Sequence, residues 1–211
     1  MRLIPLLLLG VATPAFAADP ALEPKPASEA TIAAQKAEKA SLPAEDGRDL
    51  EFAQQGFIAT RADPIIRAKD GRPVWNLDAY KWMEGDAPAT VNPSLWRHMT
   101  VLRHHGLYKV TDNIWQVRGF DVSNMTVIKG QTGWILIDPL TTRETAAAAL
   151  ELVNKELGAR PVTGVIYSHS HFDHIAGGKP FKDLGATFVA HRSARDRIAA
   201  LKPDDVVVPD Q

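Results

Sequence analysis

From Leu107 onward, apolar and polar positions alternate in short, punctuated runs. Leu107–Val110 and Ile114–Val117 read as paired strands around the turn Thr111-Asp112-Asn113. Asn124–Lys129 reads as a third strand, and Trp134–Ile137 as a fourth after the turn Gly130-Gln131-Thr132-Gly133. The period then lengthens, and Thr142–Leu157 predicts a helix. Thr141 or Thr142 can cap it, Glu144 sits in its first turn, and Gly158 closes it. Leu150, Val153 and Leu157 are expected to form its apolar face. A strand over Pro161–Tyr167, a short helix around Phe181–Leu184, a strand over Thr187–Ala190 and a helix over Ser193–Leu201 follow. Strands followed by β-α-β-α predict an α/β (α+β) fold, with this stretch as one half of a four-layer αββα sandwich.

Upstream the pattern is weaker. Residues 47–106 carry Phe52, Phe57, Trp75, Tyr80, Trp82 and Trp96 with little periodicity, and Pro64, Pro73, Pro88 and Pro93 interrupt them. They are read as an irregular arm whose aromatics pack onto the larger body formed by residues 107–211. Residues 18–46 are rich in Ala, Pro, Lys and Glu, and fit either a flexible tether or a solvated helix over Ser28–Ala40, with Ser28 or Thr31 near its start. Residues 1–17 have the form of a cleavable secretory signal. Arg2 precedes an apolar run over Leu3–Val11, and Ala15-Phe16-Ala17 is a small-x-small site, which places the cut near Ala17–Ala18. The run is too short for a stable membrane anchor, so a periplasmic or secreted protein is expected.

Composition narrows the chemistry. The 211 residues carry a net charge of −1, which provides no basic field for nucleic acid. There is no cysteine, so any metal site must use nitrogen and oxygen, and no thiol can act as nucleophile.

The stretch Ser168-His169-Ser170-His171-Phe172-Asp173-His174 concentrates three of the seven histidines directly after an apolar strand. Imidazole and carboxylate are good ligands for zinc and related divalent ions. A tight loop after the strand turns His169 and His171, two apart, to the same side. Asp173 and His174 follow on the next bend, where they can serve a neighbouring second ion. Four ligands so close in sequence order little chain, which keeps the entropic cost of assembly low.

This His-x-His-x-Asp-His pattern resembles the signature of the metallo-β-lactamase superfamily. Further stretches resemble one branch of it, the linear alkylsulfatases (SDS hydrolases). They are Arg118-Gly119-Phe120-Asp121-Val122-Ser123-Asn124-Met125-Thr126, Gly133–Leu140 and Arg143–Ala148. In the arm, Gln55–Thr60, Val74–Leu77 and Pro88–Arg97 are similar to the same family. The resemblance covers roughly Gly56 to Gly178. It implies the first half of a metallo-β-lactamase sandwich and a site for two zinc ions, with His169 and His171 on one and Asp173 and His174 on the other. A zinc-held hydroxide would then be the nucleophile or general base, because zinc lowers the pKa of water to about 7. Asp173 would be the catalytic residue that orients it. Asp138, just past a strand end, is expected either to hydrogen-bond the metal loop or to be a simple turn residue.

The implied reaction is hydrolysis of a small-molecule alkyl sulfate ester. The family's further metal ligands, sulfate-binding groups and dimerisation region lie downstream of Gln211, so the chain is expected to be a fragment of a larger enzyme and inactive alone. The resemblance also allows a homodimer of the full-length form. Residues 179–211, including Ala190-His191-Arg192 and Pro203–Asp210, follow a generic superfamily pattern. They leave open an exported metallo-hydrolase of lactams, lactones, thioesters or phosphodiesters, or a non-catalytic product. His191 can approach the site or pack on the surface, whereas His98, His104 and His105 are expected to be solvated.

Overall fold

The computed structural model describes residues 25–200; the signal-like segment and the Pro203–Asp210 stretch lie outside them. The first element is α1, Glu29–Ser41, which Ser28 caps by accepting from the Thr31 amide at 3.2 Å. The helical alternative therefore holds for residues 29–41, with no buried residue on any face.

The arm is more regular than its prolines suggest. It contains α2 (Arg48–Gln54), β1 (Phe57–Ala59), a hairpin of β2 (Ile65–Arg67) and β3 (Pro73–Asn76), and α3 (Pro93–Leu102). Pro93 starts α3 rather than breaking it. At the first helical position its missing N–H removes nothing, and the Asn92 side chain accepts from the amides of Ser94 and Leu95. The aromatics divide. The Trp75 indole packs against the core and donates to the Gly119 carbonyl at 3.0 Å, and Trp96 is buried and donates to Gly85. Phe52 and Trp82 instead stay largely exposed, contrary to the expectation that all anchor the arm.

The body is a seven-stranded sheet among the described residues, ordered β1-β4-β5-β6-β7-β8-β9. The remaining strands are β4 (Gly106–Thr111), β5 (Ile114–Arg118), β6 (Met125–Lys129), β7 (Trp134–Ile137), β8 (Val162–Tyr167) and β9 (Thr187–Ala190). Pairing is antiparallel from β1 through β7 and parallel for β7–β8 and β8–β9. The arm's β1 is thus the edge strand of the main sheet, and three residues without alternation were too few to reveal it. Helices α4 (Arg143–Leu157), α5 (Phe172–Ile175), α6 (Lys179–Asp183) and α7 (Arg192–Ala200) complete the order.

Alternation sorts the sheet into two unlike faces. Val117, Met125, Val127, Trp134, Leu136 and Val165 are fully buried in the core with α4. The opposite row, Ile114, Ile128, Ile135, Ile137 and Ile166, runs across paired positions and is only half-buried. This is the sheet layer of a mixed α/β fold, with α4 packed on its buried face. The buried side of α4 is Thr145, Ala146, Ala148, Ala149, Leu152 and Val153, while Leu150 and Leu157 pack at its margins. The expected Leu150–Val153–Leu157 face is therefore rotated, because small alanines bring the helix closest to the sheet.

Candidate metal centre

Strands β5 and β7 end, and β4 and β6 begin, at one rim of the sheet, and β8 ends there too. The loops after β7 and β8 meet at this rim. Asp138, the first residue past β7, is 8% exposed and adopts φ +55, as Leu140 adopts φ +67. Left-handed backbone in non-glycine residues costs about 1–3 kcal/mol each and persists only where the surroundings over-determine it. Here they do. The Asp138 amide donates to the Ile166 carbonyl at 3.0 Å, and its carboxylate accepts from the Ser168 amide at 2.8 Å and the Ser168 hydroxyl at 2.5 Å. The same carboxylate accepts from His174 Nδ1 at 2.9 Å.

These bonds aim the histidines. With Nδ1 of His174 given to Asp138, its Nε2 is free, and it lies 3.2 Å from Asp173 Oδ2. Ser168 Oγ, having donated to Asp138, accepts from His169 Nδ1 at 2.9 Å, which leaves Nε2 of His169 free as well. The His169 ring lies 4.5 Å from that of His171 and 4.2 Å from that of His174. His171 precedes α5, which turns Asp173 and His174 back toward the rim. His171 thus lies beside His169 and Asp173 beside His174, but the donor atoms that fall within 4.8 Å of one another are those of Asp138, His169 and His174.

The arrangement fits a divalent ion. Ligand atoms about 2.1 Å from a tetrahedral zinc stand roughly 3.4 Å apart, close to the observed His174–Asp173 spacing. Three imidazoles and a carboxylate, without thiolate, suit a borderline ion such as zinc. Asp138 is the carboxylate behind the histidine, the partner that fixes tautomer and ring orientation at metal sites.

Other parts of the site were not foreseen. Asp121, 7% exposed, accepts from the Thr141 amide at 3.0 Å, from the Thr145 hydroxyl at 2.7 Å, and from the Thr141 hydroxyl. Ser123, 6% exposed, donates to the Asp173 carbonyl at 2.5 Å. Gly177 sits where a Cβ would lie 2.1 Å from the Pro139 carbonyl, so only glycine lets the metal loop press onto the loop after β7. The one sequence signal touching this group is that Asp121 and Ser123 fall within the Arg118–Thr126 stretch noted for its resemblance, which gives neither of them a role.

The remaining histidines divide. His191 is exposed and accepts from the Ser193 amide at 3.2 Å at the start of α7, outside the donor cluster. His98 is exposed as expected. His105 is not solvated, and His104 is only half-buried, with its ring 3.4 Å from the Gln54 side chain. The His105 ring is mostly buried between Thr60 Oγ1 at 2.7 Å and Asp78 Oδ1 at 3.4 Å, and burial, with Arg103 and His105 nearby, lowers the His104 pKa. Thr60, just past β1, and Asp78, just past β3, bracket His105.

Residues 118–206 match the sequence profile of the metallo-beta-lactamase superfamily. The chain thus carries, over less than half of its length, the sequence pattern of that superfamily. It is 50% identical over 139 residues to an alkyl/aryl-sulfatase of Saccharomyces cerevisiae, a match covering 65% of this chain and 22% of the yeast protein. It is 44% identical over 155 residues to a linear primary-alkylsulfatase of a Pseudomonas species, covering 72% of this chain and 23% of that protein. The solved stereoselective inverting sec-alkylsulfatase of a Pseudomonas species superposes with a TM-score of 0.77 at 38% identity, over 83% of this chain and 29% of that one. The chain spans about a quarter of the length of these relatives.

Proposed function

We propose that this chain is the metal-binding part of a zinc-dependent hydrolase of alkyl sulfate esters. The observation that carries the reading is the convergence of His169, His171, Asp173 and His174 at the rim, with Asp138 locking His174 from behind. The kinship with alkylsulfatases at 41–50% identity supplies the substrate class.

His169 and His171 would hold one ion, and Asp173 and His174 a second. Bound zinc would supply a lowered water pKa and positive charge facing an anionic sulfate ester. Asp138 keeps His174 in the tautomer that presents Nε2, and Ser168 does the same for His169. Asp173 would orient the attacking water through its carboxylate. The signal-like start of the chain supports export to the periplasm or beyond.

The test is sulfate release from dodecyl sulfate by the full-length protein that carries this chain, with zinc counted by mass spectrometry. His169→Ala with His171→Ala is expected to lose both zinc and turnover. Equal activity with and without the two histidines would refute the mechanism.

A further inference from the structure

The loop between β5 and β6, residues 119–124, ligates nothing in the proposed site, yet it bonds to both loops that build it. Toward the β7 side, the Asp121 carboxylate gathers the Thr141 amide, the Thr141 hydroxyl and the Thr145 hydroxyl. Thr141 directly follows Leu140, which with Asp138 is left-handed in this loop, and Thr145 lies in the first turn of α4. Toward the β8 side, the Ser123 hydroxyl donates to the backbone carbonyl of Asp173 at 2.5 Å. Two residues apart on one turn, Asp121 and Ser123 therefore span the two loops. The span closes a ring, since the Gly177 amide donates to the Leu140 carbonyl at 2.9 Å on the far side of the metal loop.

We infer that Ser123 is a positioning residue for the metal loop, and that residues 119–124 set the separation between Asp173 and the Asp138–His174 pair. The argument is geometric. The α5 turn carrying Asp173 and His174 is four residues long, too short to hold its own orientation. Within it, the His174 amide bonds to the His171 carbonyl at 3.1 Å, a local contact that fixes no position relative to the sheet. His174 is fixed to the sheet by Asp138. The carbonyl of Asp173 is fixed by Ser123, 50 residues away in sequence. Without that bond, Asp173 can swing about the His174 anchor, and the spacing of Asp173 Oδ2 to His174 Nε2, now 3.2 Å, is no longer defined. Ser123 itself is buried, and the turn is anchored at one end by Phe120, fully buried in the core, while Val122 points outward at 70% exposure and Asp121 and Ser123 make the bonds to the two loops. The inference rests on the metal-centre reading for its functional meaning, but the positioning can be measured without metal.

The test uses the purified chain, first free of metal. Amide hydrogen exchange by NMR is compared for the wild type, Ser123→Ala and Ser123→Thr, the last retaining a hydroxyl. Ser123→Ala is expected to speed exchange at the His174 and Gly177 amides about tenfold, the factor of one ordinary hydrogen bond, with Val127 and Leu136 unchanged. Cobalt(II) is then titrated. Ser123→Ala is expected to weaken cobalt binding about tenfold or more and to shift its visible absorption, and Ser123→Thr to restore both. The inference is overturned if the His174 and Gly177 amides exchange as in the wild type. It is equally overturned if all amides speed up together, or if the variant does not fold, since the hydroxyl would then serve global stability. A His169→Ala/His171→Ala chain that still binds cobalt as the wild type does would instead sink the metal-centre reading, and would leave the exchange result to judge Ser123 on its own.

Discussion

Replacing Asp121 by alanine should be among the most damaging single changes in the chain outside its apolar core. The carboxylate serves four donors, the amides of Thr141 and Val122 and the hydroxyls of Thr141 and Thr145. Two can be re-satisfied. Val122 lies at the surface, where water replaces the acid, and the Thr145 hydroxyl already reaches the Thr142 carbonyl at 3.1 Å. The Thr141 amide and hydroxyl are buried and have no substitute. A buried donor left unpaired costs about 1–3 kcal/mol, so two give about 2–6 kcal/mol. Against a typical domain stability of about 5–15 kcal/mol, that is a large fraction. Urea unfolding followed by tryptophan fluorescence reads it directly. Thr141→Val supplies the control, because it removes one of the two orphans beforehand. In the Thr141→Val background, Asp121→Ala should cost about 1–3 kcal/mol less than in the wild type. A loss below about 1 kcal/mol, or strict additivity of the two changes, would refute the assignment of Asp121 as the clamp on this loop.

Three further outcomes follow from the same geometry. Asn154→Ala strips the fully buried Trp134 indole of its acceptor at 2.8 Å and should cost about 1–3 kcal/mol in the same urea melt. Leu136→Ala should cost about 2–5 kcal/mol, whereas its neighbour Ile135→Ala, on the half-buried face, should cost clearly less; equal losses would contradict the two-faced sheet. Burial pushes the Tyr167 phenol up to about 12 from its free value of 10, so the fold favours its protonated form. That contribution is complete below pH 10 and is lost as pH rises through about 12, and Tyr167→Phe should flatten the alkaline decline in melting temperature over this window.

Much of the body was legible because its signals are local. Strands such as Trp134–Ile137 announce themselves by alternation, and Thr142 caps α4 within its own sequence neighbourhood. The histidine cluster is equally local, with every donor within six positions. What escaped is non-local. Asp121 meets residues 20 and 24 positions away, and Ser123 meets one 50 away, so neither shows a pattern before the chain is folded. The arm escaped for a different reason. A proline reads as a breaker until its position in the helix is known, and Pro93 with Asn92 before it is a helix start. His105 was taken as solvated because nothing near it in sequence signals that Thr60 and Asp78 enclose it.

The strand order carries a consequence for the sequence of events during synthesis. From β4 to β7 each strand pairs antiparallel with the next in sequence, so each hairpin can close as soon as its second strand is available. The first parallel pairing, β7 with β8, must wait for the whole of α4 to intervene. The antiparallel strands of that rim, with the 119–124 turn between them, therefore pair without any part of Ser168–His174, whereas Asp138 gains its bonds only when Ile166 and Ser168 are in place. The last piece to dock carries nearly all the donors and completes the rim. Metal capture would then be a late and quick step, with a short loop closing onto a waiting frame rather than an ion drawing distant segments together.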